Sequence, residues 1–160
     1  MKTIVKGKLL LTAFILSLAA SATASEFIYK PASPTVAADN MIYISGQLPV
    51  SDGKLIYQGQ VGSDLTLSEG YQAAELAAAN VLAQIKKKLG TFDRLVKIVR
   101  VDGHVSSSPD FIDQPKVLDG ASDLLKKVLG EKAGHARAVF SYSKLPKNAT
   151  IILVVIAEIK

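Results

Sequence analysis

Thr150-Ile151-Ile152-Leu153-Val154-Val155-Ile156-Ala157-Glu158-Ile159 closes the chain, with Ile, Leu or Val at nearly every position. A strand with one wet face alternates apolar with polar residues. A run that is apolar at both phases reads instead as a strand covered on both faces. Such a strand needs neighbours, and the preceding sequence offers them. Lys144-Leu145-Pro146-Lys147-Asn148 is a turn, and the stretch 136–143 before it is strand-like and carries a lone arginine, Arg137.

Further upstream, Val117, Ala121, Leu124, Leu125 and Val128 share one face of a helix expected over 115–129, which Gly130 ends. Ser106 to Pro115 is a polar loop. Val96, Ile98 and Val101 place a strand over 96–105, where mixed polarity indicates an edge strand or a face turned towards an interface. Thr66-Leu67-Ser68-Glu69 fits a capping box, so a helix runs from there to Leu89, with Gly90 beyond its end. Ala74, Ala78, Val81, Leu82, Ile85 and Leu89 form its apolar stripe, rich in alanine and suited to close approach to a sheet. Lys86, Lys87 and Lys88 complement the helix dipole as a solvated end; anion or nucleic-acid binding is the alternative. Residues 41–45 alternate as a strand, Ser51-Asp52-Gly53-Lys54 has hairpin-turn chemistry, and 54–58 is the expected return strand. Residues 25–40, with Pro31 and Pro34, are expected to be extended and partly strand. The order ββαβαββ is that of one α/β domain, a sheet with two helices on one face.

The first residues have the pattern of an export signal. Lys2, Lys6 and Lys8 precede an uncharged, mostly apolar stretch of 12 residues, 9–20, and Ala22-Thr23-Ala24 puts small residues at the cleavage site. A membrane span needs ~20 apolar residues, so residues 1–24 are expected to be a cleaved signal peptide and 25–160 the working domain, exported to the periplasm or secreted, with no membrane attachment after cleavage. The remaining domain has 16 basic and 14 acidic residues, a net of +2. That balance, with no tryptophan and no aromatic platform flanked by basic residues, argues against a nucleic-acid partner. With no cysteine, the core must hold the fold without disulfides. The two histidines, His104 and His135, lack a Cys or His at ligand spacing, so no metal is expected, and no cofactor either.

Tyr43-Ile44-Ser45-Gly46-Gln47-Leu48-Pro49, read with Gly134-His135-Ala136-Arg137 and Lys144-Leu145-Pro146-Lys147, resembles the Rid (YjgF-like, "endoribonuclease L-PSP") family. The segments 62–71, 109–117 and 120–125 resemble one branch of it, so the resemblance spans roughly 43–160. It implies a chorismate-mutase-like fold assembled as a homotrimeric barrel, helices outside and pockets between subunits. It also implies hydrolysis of reactive imines and enamines to a 2-oxo acid and ammonia. By the same resemblance Arg137 binds the substrate carboxylate through a two-bond fork. Ser45 and Gly46 line the imine end, and the backbone at Val139 lines the same pocket. The family's water-positioning glutamate, fifteen residues after the arginine, corresponds here to Ile152, which can neither accept a proton nor orient water. Glu158 is six residues further on, about 20 Å along a strand, too far to replace it. Two readings therefore stand: an exported protein that binds a small carboxylate ligand with catalysis lost, and an active imine or enamine deaminase. For Arg137 the alternative is an ion pair with an acid across the trimer interface. For His135, on the same side of the strand as Arg137, an interfacial or surface role is expected, and proton donation is the alternative.

Overall fold

The computed structural model describes residues 33–160; the expected signal peptide, 1–24, lies outside them. The strands are β1 (Thr35–Ala38), β2 (Met41–Gln47), β3 (Val50–Ser51), β4 (Lys54–Leu55), β5 (Leu95–Ser106), β6 (Ala136–Tyr142) and β7 (Ile151–Ile159). The helices are α1 (Leu67–Leu89) and α2 (Gln114–Leu129), with short 3-10 turns at Gly130–Ala133 and Pro146–Asn148.

Five strands form one sheet in the order β1-β2-β7-β5-β6, while β3 and β4 pair as a separate ribbon. Strands β5 and β6, joined through α2, are parallel, and the other pairs of the large sheet are antiparallel. The sheet is thus mixed, with both helices packed on one of its faces, the α/β architecture that the hydrophobic periodicities predicted.

The capping box is formed. Thr66 Oγ1 accepts from the Glu69 backbone N–H at 3.2 Å, and the Thr66 N–H donates to Glu69 Oε2 at 2.8 Å. The whole predicted stripe of α1 is buried, its alanines letting the helix lie close to the sheet. Helix α2 crosses α1 where Gly120 meets the backbone carbonyl of Tyr71, leaving no room there for a side chain. Val117, Ala121 and Leu125 are buried as expected, but Val128, two turns past the crossing, stays 47% exposed.

Three expectations change. The partner of β2 on its outer side is β1, from the leader, closed by a tight turn at Asp39-Asn40 with Asp39 at φ +50°. The expected return strand 54–58 shrinks to Lys54–Leu55, which pairs only with Val50–Ser51. Strand β5 is not an edge: it lies between β7 and β6, and its mixed polarity arises because its two faces differ. The two faces of β7, though both apolar, also differ in burial. Ile151, Leu153, Val155, Ala157 and Ile159 are buried beneath the helices, whereas Ile152, Val154 and Ile156 are only partly covered within one chain.

Candidate functional site

Arg137 sits near the start of β6, the strand at one edge of the sheet. Its register partner is the buried Val101, and Val139 pairs with Gly103, so both point to the helix-covered face. The guanidinium has an acid within its own chain. Its Nη1 donates to Asp119 Oδ1 on α2 at 2.7 Å and to Ser122 Oγ at 3.3 Å. Nη2 and Nε make no hydrogen bond among the described residues. The pair is well exposed, 37% for Arg137 and 43% for Asp119, so it contributes little to stability. His135 lies on the same side, as its two-residue spacing predicted, with Nε2 3.2 Å from Ser122 Oγ. Ser122, Lys126, Glu131, His135 and Arg137 line a shallow groove of about 360 Å³.

Ser45 and Gly46 occupy a β-bulge. Ile44 pairs with Val155 and Gln47 with Leu153, so two residues of β2 stand against Val154 alone. The Gln47 amide braces the bulge by donating to the Ser45 carbonyl at 2.6 Å, and Ser45 Oγ donates to the Ser33 carbonyl at 2.8 Å. A Cβ on Gly46 would lie 2.7 Å from Ile152 Cγ2, so the glycine is what lets β2 pass over this isoleucine. The register continues from Ile152 to His104 on β5 and from His104 to Phe140 on β6. His104 stacks on Phe140 at 5.3 Å, and its Nδ1 is 3.1 Å from the Tyr142 hydroxyl. Glu158 is committed elsewhere, to Lys97 at 3.4 Å.

These residues fall into two candidate half-sites. Ser45, Gly46 and Ile152 lie on the open face, over β2 and β7; Arg137 and Val139 lie towards the helices, at the β6 edge. Strands β2 and β6 are three places apart, about 14 Å. One chain alone does not bring the halves together.

A family model described as "YjgF/chorismate_mutase-like, putative endoribonuclease" matches residues 8–159. The chain belongs to the YjgF-like, or Rid, family. Among similar solved structures, the protein Atu1372 from Agrobacterium tumefaciens is 40% identical, with a TM-score of 0.80 over 81% of this chain and 82% of that one. A protein from Shewanella oneidensis, described as a putative endoribonuclease, is 34% identical, with a TM-score of 0.79 over 92% of this chain and 98% of that one. "Protein TCP17" of Trypanosoma cruzi is 38% identical over 125 residues, 78% of each chain. On this Rid scaffold Asp119 and Ser122, which bond Arg137, were not among the residues that the sequence marked as candidates. Polar residues three apart on the flank of an amphipathic helix look like solvated surface, and only the docking of β6 against α2 gives them partners.

Proposed function

We propose that this Rid-family protein is exported and binds a small carboxylate-bearing ligand, a 2-oxo or 2-imino acid, on Arg137. The pocket is completed by the Ser45, Gly46 and Ile152 face of a neighbouring copy in a homotrimer. The observation that carries this reading is the Arg137–Asp119 contact: the guanidinium already holds a carboxylate oxygen at 2.7 Å, at an exposed edge strand. A ligand carboxylate can meet the same planar donor by its remaining nitrogens or by displacing Asp119. Imine hydrolysis is weak, because Ile152 supplies neither a proton acceptor nor a group to orient water.

Calorimetric titration of a small 2-oxo acid tests the binding. A charge-assisted hydrogen bond contributes roughly 1.5–3 kcal/mol, so Arg137→Ala should weaken binding about 10- to 100-fold. Equal affinity in the two proteins would overturn the assignment of the pocket.

A further inference from the structure

Ser122 sits in the middle of α2, and the hydrogen bonds of its hydroxyl are unusual for a helical serine. Such hydroxyls commonly return to a carbonyl of the preceding turn. Among the described residues this one contacts only His135 and Arg137. His135 Nδ1 lies 2.5 Å from the Ala133 carbonyl oxygen. A carbonyl only accepts, so Nδ1 carries the proton, and in the tautomer protonated on Nδ1 alone Nε2 presents its lone pair. Nε2 is 3.2 Å from Ser122 Oγ, and in that tautomer the serine hydroxyl is the donor in the contact. Arg137 Nη1 donates to the same oxygen at 3.3 Å.

A hydroxyl aimed at a base, the base held in one tautomer by a third group, and a cation beside the oxygen together form the arrangement of an activated nucleophile. The three side chains line the groove of about 360 Å³, with Lys126 one turn further along α2 and Gly130 and Gly134 also in its lining. That volume is at the low end for small-molecule sites.

We propose that Ser122 and His135 are a nucleophile–base pair that cleaves small carboxylic esters in this groove. Ser122 Oγ attacks the ester carbonyl carbon while His135 Nε2 takes the hydroxyl proton. The C–O bond to the alcohol breaks, and the alcohol leaves with the proton from His135. Water then attacks the acyl-Ser122 ester; His135 takes a proton from that water and returns it to Ser122 Oγ as the acid departs. Arg137 and Lys126 provide positive charge for the oxyanion formed in each half-reaction. Water is the only co-reactant. The proposal does not depend on ligand carboxylate binding by Arg137.

The test uses the purified protein, with a fluorophosphonate probe and p-nitrophenyl acetate. Intact mass and peptide mapping should find one phosphonyl adduct, on Ser122. Ser122→Ala should abolish the adduct. Since general base assistance is worth ~10²–10⁴-fold, His135→Gln should slow both labelling and ester cleavage by at least about a hundredfold, with circular dichroism reporting that each variant is folded. The wild-type mapping needs no variant to be decisive. No adduct, an adduct only on other residues, or undiminished labelling in folded His135→Gln would each overturn the proposal.

Discussion

At position 152 a branched alkyl side chain faces Gly46 on one side and has His104 as its register partner on the other. Nothing in that contact can move a proton, yet the surroundings can take a carboxylate: Ser45 and Gly46 bulge beside it, and the face is not sealed within the chain. Ile152→Glu should therefore raise the rate of 2-aminoacrylate clearance, by about tenfold at least if the new carboxylate recovers part of the ~10²–10⁴ available to general acid–base catalysis. The rate is followed by release of ammonia. A wild-type rate that already equals that of Ile152→Glu would refute the argument from this residue. Arg137 and Ile152 could be singled out from sequence because a resemblance marked their positions. That they point to opposite faces of one chain could not, since facing depends on the register between strands distant in sequence. Asp119 and Ser122 illustrate the same limit, as they acquire meaning only from the strand that docks against them.

At the scale of elements, local signals were legible and long-range choices were not. Both helices were found within a residue or two because caps and stripes are written in neighbouring residues. The Glu69 carboxyl is held below its ordinary value of 4.5 by hydrogen bonds from the Thr66 backbone and hydroxyl. A carboxyl with a lowered folded-state value stabilises the fold above its unfolded value, and that contribution is lost as pH falls through the lower folded value. The stability gap between wild type and Glu69→Gln should accordingly be present at neutral pH and close in acid below the ordinary carboxylate range. A gap independent of pH would count against the capping box. Thr66→Ala removes the other half of the box and should cost about 1 kcal/mol, read as a lower urea midpoint with an unchanged slope. Gly120→Ala is a sharper test of the helix crossing. Its Cβ would meet the Tyr71 backbone, which cannot rotate away, so a loss of about 1–3 kcal/mol is expected from overpacking. A neutral effect would mean that α1 and α2 are further apart. The misplaced return strand has a simple cause: residues 54–58 and the leader both offered β2 a partner. The Asp39-Asn40 turn, with Asp39 at φ +50°, makes the leader the nearer one.

At the scale of the whole molecule, the face of the sheet away from the helices is the unfinished part. Val36, Tyr43, Phe140, Tyr142 and Val154 are large, apolar or aromatic, and exposed there, with Ile152 and Ile156 half-covered among them. An exposed apolar and aromatic surface of this kind, crossed on β5 by the Arg100–Asp102 ion pair and His104 and lying next to the edge strand β6, is suited to an interface. It also accounts for the sequence of β7. The run 150–159 is apolar at both phases although a single chain covers only one of them, so its second phase is suited to burial against other subunits. The same contact would bring the β6 edge of one copy, with Arg137, near the Ser45–Gly46 bulge of another, joining the half-sites that one chain keeps about 14 Å apart. Closed rotational symmetry makes every such contact equivalent, and three copies are expected. Light scattering on residues 25–160 should report about three times the monomer mass. Val154→Lys places a charge at the middle of the face without touching the helix-covered core, so it should dissociate the assembly while the far-ultraviolet circular dichroism is preserved. It should also weaken 2-oxo acid binding, because Arg137 would lose the neighbouring half of its pocket. A wild-type monomer at micromolar concentration would remove the basis for a shared pocket. Full ligand affinity in a monomeric Val154→Lys protein would instead place the whole pocket within one chain.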